Sequence, residues 1–545
     1  MPNSGNKHSK ELRSMNKLKT DDCTTENDSL IEYYLAEIRK RVPIVDRTLE
    51  LYGELPLSEY LDVVTKTASE RYQSADDLGD AVYEYALPLL GEEVAAMARE
   101  ELKQSPVVLT ANHHGVDYFA QSVQGTLLFS QRKLPDGSPA KTVPIFACGS
   151  IPLDNMTYPR GALLYATEGS KLPLRLPLFP DRMKRKMVSE VAKVNEEMIA
   201  RAEKVLRKRV VECSIPQQVA STLSSVFKKY NVNEESVAVA GYSEQSMLVN
   251  QFIWGEILGT LTTKPALVYM ELEKIVSILL RKDLQNSDSL AHQLLFCSSL
   301  RENFLVGLDG IKGCWTKCEL ERRLTEKKDI RHQSSKASGT FMFWGVGDDG
   351  QKIPLLPIQE GTHCKLVGVD DSGEFWEIEL TSSNLYEALH QGRLLPSVMA
   401  CFIALTFARG VTCAGGYYQG DYLAEMREQL IFVLQQSKLS DRAISSIENA
   451  PIDSYLSGMQ TVMYRTTNGG LMPAGPIEII ASGGVGDDEL DRINNLTVAE
   501  AHAASLYETV NDVAPELAHG KDFRSSFSSM VENSLSDKII IKAIS

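Results

Sequence analysis

The chain has 545 residues, 43% of them apolar and 24% charged, with a formal net charge of -15 and a pI of about 5.3. That length suits about three domains of ordinary size and a large buried core. The acidic balance speaks against a general nucleic-acid or membrane-surface binder, which needs a basic face; nine scattered cysteines read as free thiols of a reducing compartment rather than a disulfide framework.

Residues 1–28 carry charge without an apolar segment, so they read as a disordered arm and not as a signal peptide. Residues 29–104 read as a helical layer: "SLIEYYLAEIRKRVPIVDRTLELYG" and "GEEVAAMAREELKQ" place apolar residues at steps of three and four. Residues 105–337 change character. "PVVLTA" and "KTVPIFACG" are short apolar runs bounded by turn residues, which suits buried parallel strands. The stretch "GVDYFAQSVQGTLLFSQRK" between them has helical spacing, giving a βαβ unit. A long helix is predicted from Asp181 to Arg209, with Met187, Val191, Val194, Met198, Ala202 and Val205 on one stripe, as a coiled-coil arm or an amphipathic helix on the sheet. "ESVAVAGYSEQ" (Glu235 to Gln245) reads as a further buried strand.

Residues 338–382 read as two hairpins, "TFMFWGVGDDGQKIPLLPI" and "CKLVGVDDSGEFWEIEL", each around an acidic, glycine-ended turn. Residues 383–545 return to α/β. "LLPSVMACFIALTFARGVTCAGGYYQGDYL" gives a helix, a strand, a glycine turn and a helix; "GLMPAGPIEIIASGGVGDDEL" gives a loop, a short strand, a second glycine turn and a helix. The longest apolar run, Ser397 to Ala408, is shorter than the ~20 residues that span a bilayer. A cytoplasmic protein is expected.

The densest chemistry lies in "VVLTANHHGVDYF", Val107 to Phe119. A strand ending at Thr110 and a helix from Val116 would put this turn at the carboxyl end of a parallel strand, where open α/β sheets bind ligands. Gly115 permits close backbone approach, the first helical N–H groups suit a phosphate or carboxylate, and His113 or His114 adds a proton donor near neutrality. Asn112 and Asp117 would position the imidazoles, or only cap the helix. Adjacent histidines at a strand end diverge, so no metal is assigned. At the second turn Gly415, Gly416, Gln419 and Asp421 gather polar groups able to orient a small ligand. Glu478 follows a Pro/Gly-rich loop, and the turn after it, Gly483 to Gly486, lacks both the Lys-Ser/Thr of a P-loop and the full spacing of a dinucleotide fingerprint.

The histidine turn resembles several known patterns. "VVLTANHHGVDYF" resembles the first block of glycerolipid acyltransferases, although that block has four residues between His and Asp and this chain has three. Three is the spacing of plant-type and condensation-domain acyltransferases. His113-His114-Gly115 is similar to a truncated His-x-Gly-His signature of nucleotidyltransferases, with Val116 in place of the last histidine. More broadly, the order of "VVLTANHHGVDYFAQSVQGTLLF", "TVPIFACG", a helical arm, a β region and "LLPSVMACFIALTFARGVTCAGGYYQGDYL" resembles the bacillithiol-biosynthesis cysteine-adding enzyme family. That resemblance implies a nucleotidyltransferase-like Rossmann core with inserted regions and a coiled coil, and chemistry that joins an amino acid to an amine-bearing acceptor. His113-His114 stand where that family carries a glutamine pair, and "GSIPLDN" replaces its acidic-histidine block, so the architecture transfers and the thiol substrate does not.

The reading is therefore an α/β enzyme: a Rossmann-like parallel sheet core with a helical N-terminal layer, an inserted β region and a coiled-coil helical arm that offers a route to a homodimer. A ligase or transferase forming an amide or related C–N bond is expected, using ATP or another nucleotide and small-molecule substrates, with His113, His114 and Asp117 catalytic. Asn112, Gly115, Gly415, Gly416, Gln419, Asp421 and Glu478 would bind substrate or nucleotide. The alternatives are an acyltransferase, with His113 as general base and Asp117 as orienter, and a non-catalytic nucleotide- or metabolite-binding scaffold.

Overall fold

The structure, a computed structural model, describes residues 23–167, 172–212, 214–230, 239–325, 339–437, 441–467, 469–518 and 523–544. Its strands are β1 (Val107–Leu109), β2 (Thr142–Ala147), β3 (Gly161–Leu164), β4 (Leu174–Pro177), β5 (Ala266–Glu271), β6 (Phe343–Val346), β7 (Lys352–Glu360), β8 (His363–Val369), β9 (Phe375–Glu379), β10 (Leu394–Pro396), β11 (Thr412–Gly416), β12 (Tyr455–Ser457), β13 (Val462–Arg465), β14 (Leu471–Pro473) and β15 (Ile540–Ala543).

The central sheet is all parallel, in the order β12-β11-β1-β2-β5. The chain runs outward from β1 through β2 to β5, then returns to the other side of β1 for β11 and β12. The order therefore reverses between β1 and β11, the Rossmann-like arrangement, whose switch point is where such sheets take ligands. Alternate residues face alternate cores, as the period-two pleat requires. Val107 and Leu109 belong to one apolar cluster, with Val123, Leu127 and Ile253. Val108 belongs to the other, with Leu102, Ile275 and Leu430. A sheet covered on both faces accounts for strands that are apolar throughout.

The antiparallel sheet β10-β6-β7-β8-β9 contains both hairpins expected in residues 338–382. Its inner residues, Phe343, Leu355 and Leu366, join the second core. Arg409 fastens that core. It is fully buried and bidentate to both Asp77 and Asp283, at 2.7–2.9 Å, linking helix Asp76–Gln104 to helix Leu272–Asp283.

Three sequence expectations are corrected. The helix predicted from Asp181 starts only at Glu196, where Asn195 accepts a hydrogen bond from the Met198 N–H. Residues before it are extended or in short turns because their backbone bonds go elsewhere: Met187 N–H to Gly350 and Val188 N–H to Ile151. The resulting 16-residue helix, Glu196–Val211, buries Ile199, Ala202 and Leu206 and packs on helix Gln217–Lys228, so this stretch is part of the body and not a projecting coiled-coil arm. "PIEIIA" is a helix, Pro476–Ala481, instead of a strand; Pro at the first helical position pre-sets the turn. The helix after the histidine turn begins at Ala120 and not at Val116. Most of the strand expected from Glu235, and most of the N-terminal arm, lie outside the described residues. The final "IIKA" pairs in parallel with β13. Among the described residues no helix is long and apolar enough to cross a membrane.

Candidate functional site

A cleft of about 1000 Å³ opens at the carboxyl ends of the parallel strands. Thr110 and Ala111 follow β1, Cys148 and Ser150 follow β2, Leu272 follows β5, Tyr417 follows β11, and Ser457 ends β12; all line it. Its opposite wall comes from the antiparallel sheet and the segments beside it, with Trp344, Lys352, Trp315 and Arg323. Among the described residues four cationic side chains (Arg185, Lys312, Arg323, Lys352) and three carboxylates (Asp154, Asp371, Asp512) face this space, a polar lining of the kind that fixes the orientation of a charged ligand.

The structure separates the two histidines. β1 continues as irregular extended chain: Cys148 N–H donates to the Asn112 carbonyl at 3.0 Å, and His114 N–H to the Cys148 carbonyl at 2.8 Å. Successive side chains of an extended segment alternate, so His113 lines the cleft while His114 is fully buried away from it. His113 is half-buried; its Nδ1 is 3.3 Å from the Thr157 hydroxyl, and burial holds its pKa below the usual imidazole value. His114 stacks on Tyr269 and its Nε2 is 2.8 Å from the Ser243 hydroxyl. Ser243 also lies 2.7 Å from Glu271 Oε2, and the other ring nitrogen, Nδ1, has no hydrogen-bond partner. Burial pushes His114 down to about 4. It is a neutral, fixed structural group and cannot touch a ligand in the cleft.

Asp117 contacts neither imidazole. Its carboxylate accepts from Asn112 Nδ2 at 3.0 Å and from the Phe119 N–H at 3.2 Å, and burial pushes it up to about 7. The expected His113–Asp117 dyad is therefore not assembled. The N–H groups expected to hold an anion are also taken: Val116 donates to Tyr242 Oη, Asp117 to Asn250 Oδ1, Phe119 to Asp117 and Ala120 to Tyr165 Oη. Gly115 serves the turn itself. Its φ of +121° and the Pro159 Cβ, 3.0 Å from where a side chain would begin, demand glycine, and its carbonyl accepts from Asn250.

At the second turn, Gln419 lies on the cleft floor, accepting from the Thr110 hydroxyl at 2.9 Å and donating to the Cys413 carbonyl at 3.0 Å. It occupies the space a Cβ at Gly415 would need, within 2.3 Å. Gly416 faces the cleft and precedes helix Tyr417–Gln436, whose start has no side-chain cap. Asp421 turns away: it accepts from the Ile44 N–H at 3.2 Å, capping helix Pro43–Tyr52. Glu478 is also elsewhere, buried under the Tyr165 and Ala166 N–H groups. Of the ten expected site residues, His113, Gly416 and Gln419 line the cleft.

Several lining residues carried no sequence signal. Asp512, the fifteenth residue of helix Val498–Val513, holds the Tyr417 hydroxyl. Cys148 donates its thiol to Glu273 at 3.2 Å, and burial pushes its pKa up, so it is a poor thiolate nucleophile. Glu273 also accepts the Gly149 and Ser150 N–H groups at 2.8 and 2.9 Å. Among the described residues no group of three or more His, Cys, Asp or Glu side chains is placed to hold a metal ion. Comparison of the chain with protein-family models, with curated proteins and with solved structures gave no match.

Proposed function

We propose that the protein is a ligase or group transferase that joins an amino acid or another small carboxylate to an amine-bearing acceptor, with ATP or another nucleotide supplying the energy. The observation that carries this reading is the cleft at the β1/β11 switch point, lined by both cations and carboxylates, with His113 the one histidine lining it among the described residues. A volume near 1000 Å³ accommodates two small substrates side by side. His113 donates or accepts the proton that moves during bond formation, and its half-buried position keeps it neutral and able to do both. Asp512, which accepts from the Tyr417 hydroxyl, offers an ammonium group a carboxylate on the cleft wall.

Acyl transfer by a His–Asp pair is the weaker reading, because Asp117 bonds Asn112 and not His113. Titration calorimetry of the full chain with ATP and with acyl-CoA separates the two. ATP binding that weakens in His113→Ala, followed by ATP-dependent condensation of an amino acid with an amine detected by mass spectrometry, is expected. Binding of acyl-CoA with no nucleotide affinity overturns it.

A further inference from the structure

Lys352 begins β7 and faces Val346 of β6 across a tight acidic turn. Its ammonium lies 4.3 Å from the centre of the Trp344 ring and lines the cleft. The side chain is open on the cleft side and enclosed by protein on the others, and that enclosure pushes its pKa down. The carboxylate whose charge acts on it is Glu273, whose oxygens are already filled by two backbone N–H groups and a thiol. Among the described residues Lys352 forms no ion pair. Lys352 lines the same cleft as His113 and its β-bridge partner Cys148.

Two arginines share this wall. Arg185 and Arg323 both pair with the single carboxylate of Asp371. The Met187 N–H to Gly350 carbonyl bond ties the segment bearing Arg185 to the turn that precedes Lys352. Among these described groups three cations (Arg185, Arg323, Lys352) face two carboxylates (Asp371, Glu273), which leaves one positive charge in excess. An excess of positive charge on one wall of the cleft suits an oxyanion, and a phosphoryl group has enough oxygens to accept from all three cations.

We propose that Lys352, with Arg185 and Arg323 on the same wall, seats a phosphoryl group of the substrate, so that the antiparallel sheet and not the histidine turn supplies the anion site. This rests on the cleft being the substrate site, as above, and not on which bond is made there. A cation facing a developing phosphoryl or acyl-phosphate charge beside His113 also gives the inserted sheet a role in chemistry.

Pyridoxal 5′-phosphate tests this on the unmodified full chain. Its aldehyde condenses with a neutral amine, losing water, and borohydride reduces the imine to a stable secondary amine that peptide mass spectrometry locates. A depressed amine pKa speeds the reaction and an anion site concentrates the reagent. Lys352 is expected to be labelled at least roughly tenfold faster than by pyridoxal, which lacks the phosphate, and inorganic pyrophosphate is expected to protect it. In calorimetry, Lys352→Met is expected to weaken pyrophosphate binding by about tenfold or more, with partial rescue in Lys352→Arg. Labelling no faster than at surface lysines, equal labelling by pyridoxal, or no pyrophosphate binding by the unmodified protein overturns the proposal. Phosphate-directed labelling without any condensation activity would leave this site standing and remove the ligase reading. His113-dependent condensation indifferent to Lys352→Met would do the reverse.

Discussion

Two neighbouring histidines receive opposite environments from a single step along an extended strand. His113 has the cleft in front of it; His114 has Tyr269, Ser243 and Glu271 around it. Their alanine variants should separate accordingly. His113→Ala is expected to leave the denaturant midpoint nearly unchanged while abolishing ligand-dependent activity. His114→Ala leaves a cavity and takes the imidazole partner from Ser243, and should cost about 2–4 kcal/mol in chemical denaturation. Equal stability loss in both would contradict the alternation. The pair was legible in the sequence as an unusual cluster at a strand end, and divergence of adjacent side chains was already the reason to assign no metal. Which imidazole reaches the ligand depends on which face of β1 meets the cleft, and that is settled by helices far away in the chain.

The junction of β11 with helix Tyr417–Gln436 shows the same division between two glycines. A side chain at Gly415 collides with Gln419, whereas one at Gly416 meets only the Ser457 carbonyl, at 3.6 Å. Gly415→Ala is expected to dislodge Gln419 from Thr110 and Cys413 and destabilise the protein by roughly 1–3 kcal/mol. Gly416→Ala should unfold like the unmodified protein but bind ATP more weakly, because its methyl group enters the cleft. The reverse pattern, measured by urea unfolding and calorimetry, would remove Gly416 from the site. Sequence pattern located β1, β2, both hairpins and this junction, since each is bounded by turn residues or glycine. It failed from Asp181 to Asn195, where helical spacing is overridden by backbone bonds to Gly350 and Ile151. It also failed at Asp421, where polar neighbours in sequence suggested a ligand, and at Glu478, where a Pro/Gly-rich loop did, while the partners of both in space are backbone N–H groups.

At the scale of the molecule, buried ionisable groups make stability depend on pH. Burial pushes Asp117, Glu271 and Glu508 up to about 7. In the folded state these carboxyls keep protons that the unfolded chain releases near pH ~4, so the stability they contribute at low pH is lost as pH rises toward 7. Burial holds His114 and His502 down to about 4. The unfolded chain protonates them below ~6.5, so their contribution is complete above that and lost as pH falls toward 4. The two trends oppose each other between these limits. Above ~6.5 only the carboxyls still titrate, at roughly 1.4 kcal/mol per pH unit for each group until the folded value is passed. The urea midpoint is expected to fall between about pH 6 and 8, and less so in Asp117→Asn. A midpoint that rises over that interval would contradict protonated native carboxyls.

The central strand also sets an order of events during synthesis. β1 is flanked by β2, from the next 40 residues, and by β11, with Val107 opposite Thr412. Until the ribosome has released the chain past Gly416, one edge of β1 has no neighbour, and an apolar strand with a free edge is where nascent chains stick to one another. The cleft forms on the same late pairing, so a chain truncated before β11 would have neither a closed sheet nor a place for substrate. A nascent chain of this protein therefore calls for chaperone cover of β1 through most of its translation.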